Sequence, residues 1–343
     1  MRPARPEVRL ARAVPRLPPS SAGLPAPPRA SVKALDQLEA ALDAAIPAKV
    51  LDHNLLIGTW NIRHFGRVLP KWGTADGDTP KRNLEDLCAI AEVIASFDVV
   101  AIVEVKRNLD ALRLLMAILG PDWGFIVSDP TEGDPGNDER LGYVFDLRRV
   151  RPSGLVGEVV LADEEFDDGQ AVMRRQFART PYTVSFNTGG KGFTLVSLHV
   201  LYGSQGKPEL RTPELRRIAR WMYEHAQDPD EFSRNLIVLG DFNIDRFEDP
   251  NWHAFVVEYG LSPPDKLLDV PRTVGDTPEK HSFYDQIAWF TKGKRSALTM
   301  KYADAGGFIW TDHLLQDVEQ SEKEARISDH YPLWAEFALR DGG

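Results

Sequence analysis

Three observations in the 343-residue chain predict an α/β fold, two packed sheets with helices on the outside. Beyond residue 50, short apolar strand-like runs alternate with segments of helical periodicity, the pattern of parallel strands joined by helices. Other strand-like runs follow one another directly, which implies hairpins and argues for a two-sheet sandwich over a regular doubly wound sheet. No internal repeat or linker breaks the chain after residue 50, so 51–343 reads as one domain.

Residues 1–30 contain eight prolines, and six arginines against the single acidic residue Glu7. Proline denies a helix its backbone donors and a sheet its ladder, so this Pro/Arg-rich arm is expected to be disordered. The prolines also forbid the amphipathic helix of a transit peptide, and no apolar core of a secretory signal follows the basic residues. A cytoplasmic location is the resulting expectation. Within 31–50, Val32, Leu35, Leu38, Leu42 and Ile46 recur at helical spacing. They predict a helix over 31–46, capped by Ser31, stopped by Pro47 and appended to the domain.

Strands are predicted at 55–60, 99–105, 124–127, 142–145, 182–186, 193–198, 236–239, 286–290 and 333–337, each rich in aliphatic or aromatic residues. Between some of them lie helices. These are 83–95, then 108–119 with Asn108 as cap and Gly120 and Pro121 as stop, and 212–225, opening on Thr-Pro-Glu.

Composition narrows the classes. A hydrophobic fraction of 43% over this length supports a core without staples, and the lone Cys88 excludes a disulfide framework or zinc finger. No apolar run approaches the roughly 18 residues of a spanning helix, so no membrane partner is expected. The formal charge of −10 counts against a nucleic-acid partner, and without the arm the remainder stands near −15. Acidic weight at 129–139 and 163–168 either repels a polyanion or gathers cations, and composition does not choose between them.

Polar residues recur where apolar strands end. They are Asn61 after LLIGTW, Glu104 in DVVAIVEVK, His199 closing FTLVSLH, Asp241 and Asn243 in NLIVLGDFN, Asp285 in SFYDQI, and Asp329 with His330 in ISDHYP. An ionisable group there is costly unless paired, hydrogen-bonded or bound to a metal. Singly, each has an ordinary explanation: Asn61 closing a turn, Glu104 paired with Lys106 or Arg107, His199 a satisfied core histidine, Asp241 a cap. Together, so many strand ends with the same anomaly point to one site. Hard oxygen ligands such as Glu104, Asp329 and Asn61 suit Mg²⁺ or Mn²⁺, whereas soft ligands and a paired-histidine zinc motif are missing. Two histidines suit proton transfer at neutral pH. No P-loop, Rossmann glycines or Gly-x-Ser-x-Gly elbow occurs, which leaves metal-assisted attack of water on a phosphoester.

In order, WNIRHFG, VEVK, SLHV, GDFN, YDQI and ISDHYP resemble the endonuclease/exonuclease/phosphatase superfamily over about residues 54–340. Asn-Ile-Arg followed by Phe-Gly, Glu-Val-Lys, the FARTP run at 177–181 and the pair Glu139-Arg140 resemble its deoxyribonuclease I branch. The resemblance implies a four-layer α/β/β/α sandwich of two packed mixed sheets, with 51–343 as the catalytic domain. It implies Glu104 as the principal metal carboxylate, helped by Asn61 and Asp329, with Mg²⁺ or Mn²⁺ as cofactor. His199 and His330 would flank the scissile phosphate, Asp285 supporting His199 and Glu139 supporting His330. Asp241 and Asn243 would orient the attacking water, and Arg63, Lys106 and Arg179 would contact substrate phosphates. DNA is the implied substrate of a monomeric enzyme, probed against two alternatives: a small phosphoester such as a lipid head group or inositol phosphate, and an inactive binding protein on the same fold. The chain departs from that branch in its single cysteine, in lacking recognisable calcium loops, and in Asn137, where the branch places an aromatic two residues before its glutamate.

Overall fold

The structure, a computed structural model, describes residues 24–132, 137–161, 177–202, 211–228, 232, 234–277, 281–291 and 298–340. The expectation of a disordered arm over 1–30 falls largely outside them, as do the acidic run 163–168 and part of 129–139.

Elements in chain order are α1 (Arg29–Ala45), β1 (Asn54–Phe65), α2 (Leu84–Ala95), β2 (Val99–Lys106), α3 (Asp110–Leu119), β3 (Trp123–Val127), β4 (Glu139–Asp146) and β5 (Arg151–Glu158). Then come β6 (Tyr182–Thr188), β7 (Lys191–His199), α4 (Arg211–Gln227), β8 (Leu236–Ile244), α5 (Pro250–Trp252), β9 (Leu261–Ser262), β10 (Phe283–Phe290), β11 (Lys301–Gly307), α6 (Gln320–Arg326) and β12 (Leu333–Ala338). The strands form two mixed six-stranded sheets, ordered β11-β12-β1-β2-β4-β3 and β5-β6-β7-β8-β10-β9.

Strand alternation sets the layers. In β1 and β2, Leu55, Ile57, Val99, Ala101 and Val103 face the second sheet, meeting Val184, Phe186, Leu195, Ile237, Leu239 and Ile287. Leu56, Trp60, Val100 and Ile102 point the other way, into a core closed by Leu38 and Leu42 of α1, Ile90 and Ile94 of α2, and Leu112 and Leu115 of α3. Val196, Leu198 and Val238 cover the far face of the second sheet with Leu215, Ile218 and Met222 of α4. The result is the expected four-layer sandwich. Strands buried on both faces read as continuous apolar runs, which is why β2 and β8 stand out in the sequence.

The helix of 31–46 starts earlier than expected. Pro28 precedes its first residue, and Ser31 is buried inside it, donating to the Glu85 carboxylate of α2 where a cap was predicted. Asn108 lies before α3, where its Oδ1 accepts the N–H of Asp110 at 2.8 Å. At α2, Asn83 and Asp86 form a reciprocal capping box that satisfies two donors of the first turn.

Candidate active site

Both sheets deliver the carboxyl ends of a parallel strand pair to one edge of the sandwich. In the first sheet Asn61 of β1 lies in register with Val103 of β2, one residue before Glu104. In the second, His199 of β7 lies in register with Asp241 of β8, and Asp285 of β10 pairs with Asp241 from the other side. The Asn61 amide joins the two layers, donating to Glu104 Oε1 and to Asp241 Oδ2, each at 3.1 Å.

Local backbone geometry aims these groups. The registers of β1 with β2 and of β2 with β4 both shift around Glu104, whose φ is +61°. His64 (φ +48°) and Asn243 (φ +50°) also occupy the left-handed region, uncommon for residues with a Cβ. Gly240 holds φ +130°, and a Cβ there would meet Leu198 O at 2.1 Å. Only glycine lets β7 and β8 approach closely enough to set His199 beside Asp241.

Each histidine has its own carboxylate, and the pairing is the reverse of the one expected. His330 Nδ1 lies 2.5 Å from Asp285 Oδ2, while His199 Nδ1 lies 3.2 Å from Glu139 Oε2. The reason is topological: β10 places Asp285 under the loop before β12, and β4 places Glu139 across from the end of β7. Both Nε2 atoms face Asp241, at 3.7 Å from His199 and 3.9 Å from His330. Burial pushes the His330 pKa down, but the Asp285 carboxylate outweighs it and holds the imidazole protonated well above its usual range. Asp285, wholly buried, is itself raised to about 6 by desolvation, against the pull of His330. Burial also raises Glu139, yet His199, Arg179 and Lys106 together hold its carboxyl far below the ordinary value.

The predicted phosphate contacts are all committed to acids in this state. Arg179 Nε is 2.6 Å from Glu139 Oε2 and Lys106 Nζ 2.8 Å from Glu139 Oε1. Arg63 bridges Glu324 at 2.7 Å and Asp329 at 3.3 Å. Lys106 therefore does not neutralise Glu104, and Arg107 is paired with Glu132 and Asp138 instead. Asn137, in place of an aromatic, donates to Glu139 Oε1 at 2.6 Å.

Glu104, Glu139, His199, Asp241, Asn243, Asp329 and His330 line one cavity of about 460 Å³, walled on one side by Tyr202 and Tyr284. Asn61 Oδ1, Asp285 Oδ1 and Asp329 Oδ1 are buried without hydrogen-bond partners. Glu104 Oε2 takes the His64 N–H at 3.0 Å and lies 3.4 Å from His64 Nδ1. His64, Glu104 and Glu139 each present a ligand atom within 4.8 Å of the others, a group that could hold a cation. Because cations occupy both Glu139 oxygens, Glu104 is the freer carboxylate. Orphaned Asn61 and Asp329 oxygens make the donor set hard, as Mg²⁺ or Mn²⁺ requires.

Several residues that the sequence did not announce hold this arrangement. Ser328 donates to Asn61 O at 2.6 Å and accepts from His330 N–H at 3.0 Å. Trp60 and Trp310 both donate to His330 O, at 3.0 and 3.1 Å. Arg82 is buried and donates to Arg63 O at 2.7 Å and to Arg326 O and Ile327 O at 2.9 Å, stapling the end of β1 to the loop carrying Asp329 and His330. Glu214 points inward from α4 to accept Ala178 N–H at 3.3 Å and Leu201 N–H at 3.4 Å, and burial raises it to about 7. Its Thr-Pro-Glu setting reads as a helix start, which masks the inward role. Only Trp60, inside WNIRHFG, and Ser328, inside ISDHYP, had a sequence signal.

The profile of the Endonuclease/Exonuclease/phosphatase family matches residues 58–330. Comparison with curated protein sequences returned no match. Among solved structures, the chain is similar to a functionally unknown conserved protein from Enterococcus faecalis, at 17% identity and a TM-score of 0.54, over 83% of this chain and 99% of that one. It is also similar to a mannosyl-6-phosphatase of Bacteroides thetaiotaomicron, at 17% identity and a TM-score of 0.52, over 82% and 99%. TDP2 of D. rerio, complexed with single strand DNA product, matches at 14% identity and a TM-score of 0.50, over 83% and 98%. At such identities these likenesses are of fold. With the profile spanning every strand that carries a candidate residue, the chain belongs to the endonuclease/exonuclease/phosphatase family of phosphoester hydrolases.

Proposed function

We propose that the protein is a divalent-metal-dependent phosphodiesterase that hydrolyses DNA, cutting internally as an endonuclease. The observation that carries the hydrolytic reading is the convergence of two buried histidines on Asp241, their Nε2 atoms at 3.7 and 3.9 Å, each with its own carboxylate on Nδ1. DNA in particular is supported by the resemblance of the Asn61 to Gly66 and Glu104 to Lys106 motifs to the deoxyribonuclease I branch.

Glu104, with Asn61 and Asp329, would hold Mg²⁺ or Mn²⁺, which supplies positive charge and Lewis acidity at a phosphate oxygen when bound. Asp241 and the Asn243 side of the cavity orient a water and take up its proton. The water oxygen forms a bond to phosphorus as the bond to the opposite ester oxygen breaks. His330, kept protonated by Asp285, and His199, held by Glu139, face the added negative charge, and one of them protonates the leaving oxygen. Arg179 and Lys106 are positioned to exchange Glu139 for substrate oxygens.

A cavity of about 460 Å³ is also large enough for a small phosphoester, the second reading. Supercoiled plasmid, single-stranded DNA, RNA and a simple bis-phosphodiester, each with Mg²⁺, Mn²⁺ or EDTA, separate the two. Plasmid nicking that requires metal is expected. Turnover of the simple ester with intact plasmid would replace the nuclease by a small-molecule phosphoesterase.

A further inference from the structure

We propose that the groove behind the metal-binding acids, between the end of β1, residues 66–82 and α6, holds a second backbone phosphate of a polynucleotide, displaced along the strand from the phosphate being cut. This rests on the nuclease reading and specifies its substrate as a polymer. The groove encloses about 460 Å³ and is lined by Arg63, His64, Arg67, Lys81, Arg82 and Lys106, with no carboxylate in its wall. In a chain of net charge −10, such a surface is not an ordinary mixed face.

The groove adjoins the cavity through three ion pairs. Arg63 meets Asp329 at 3.3 Å, His64 meets Glu104 at 3.4 Å and Lys106 meets Glu139 at 2.8 Å. The acid of each pair belongs to the cavity and the base to the groove, so the two share a rim. A strand with one phosphate at the acids runs its neighbouring phosphates over the bases.

Two cations of the groove have no duty in the site. Arg67 is exposed and makes no hydrogen bond or ion pair among the described residues. Lys81 donates to the carbonyls of Ala75 at 3.0 Å and Asp76 at 2.9 Å, and Asp78 of the same loop is paired with Lys71 at 2.6 Å. Arg82 by contrast is buried and committed to backbone carbonyls. Arg67 and Lys81 thus carry positive charge without a carboxylate partner, the condition for phosphate to release condensed counterions on binding.

The test compares Arg67→Ala, and the Arg67→Ala/Lys81→Ala pair, with the unaltered protein on a single-stranded oligonucleotide and on a bis-phosphodiester with one phosphate. KM on the oligonucleotide is expected to rise about tenfold in the pair, and the slope of log KM against log salt to fall by about 1 per cation removed. The simple ester should be turned over within about twofold of the unaltered rate, which also certifies folding. Unchanged oligonucleotide KM and salt slope, or equal losses on both substrates, would overturn the groove while leaving the nuclease intact. An unaltered protein that cleaves only the simple ester overturns both readings together.

Discussion

The strands β1 and β2 end in buried charge twice, once at each edge of the sandwich, and the two clusters are built on opposite principles. At the amino ends, Arg149 donates to both oxygens of Asp98 at 2.8 and 3.0 Å, and Leu56 N–H adds a third bond at 2.9 Å. Lys49 reaches Asp146 at 3.0 Å, and Arg148 holds the same carboxylate at 2.7 Å. Three cations serve two carboxylates, and none of the buried polar atoms of Lys49, Asp98, Asp146 or Arg149 lacks a partner. At the carboxyl ends, Glu104, Glu139, Asp241, Asp285 and Asp329 converge, and one oxygen each of Asn61, Asp285 and Asp329 accepts no hydrogen bond. Burial of charge is common to both. What separates a structural cluster from a reactive one is the leftover acidity, which costs stability and invites a cation.

The largest effect that tests this contrast is on turnover. His199→Ala should lower the rate about 10²- to 10⁴-fold on plasmid, with the melting transition little moved; a change below tenfold would remove His199 from the chemistry. Asp98→Ala, at the other edge, leaves Arg149 buried without its partner. It is expected to cost about 3–5 kcal/mol in denaturant unfolding, while the rate of the folded fraction holds.

A smaller effect depends on pH. Burial raises Glu214 to about 7, so the folded state favours its protonated form. That contribution is fully present below the ordinary carboxyl range and is lost as pH rises through 7. Glu214→Gln should therefore be more stable than the unaltered protein at pH 8, by about 3 kcal/mol, and by less than about 1 kcal/mol at pH 5. Equal stability at both values would show that the buried carboxyl carries no such penalty. Smallest of all, Arg216→Ala removes an exposed pair with Glu258 and should shift stability by less than about 1 kcal/mol. A loss as large as that of Asp98→Ala would break the distinction between buried and exposed pairing.

The layered fold was legible because its central strands are apolar on both faces, and all the predicted strands are present, each longer than predicted. For the strands that carry the site, the extension has one cause. The apolar runs stop at Trp60, Leu198 and Leu239, but the ladders continue through Asn61, His199 and Asp241, since the candidate residues are themselves strand residues. Of the four edge strands β3 was predicted and β5, β9 and β11 were missed: β9 has two residues, β5 carries Pro152, Gly154 and Gly157, and β11 reads KYADAGG, compositions suited to strands paired on one side. The polar helix α6 lacks an apolar stripe and left no signal. Within the site, residue types and order were readable, whereas the partner of each histidine was not. Which acid reaches which ring depends on where β4 and β10 lie in their sheets, and spacing along the chain does not encode that.

The Asn61 amide that spans both sheets has a kinetic meaning as well. Its bond to Asp241 joins residues 180 positions apart, and Trp60 reaches His330 across 270. Such contacts close large loops and are among the slowest to form. A chain still emerging during synthesis, or cut before Asp241, would have neither of these contacts. Return of hydrolysis after refolding should then trail the return of secondary structure, which keeps a half-made enzyme inert.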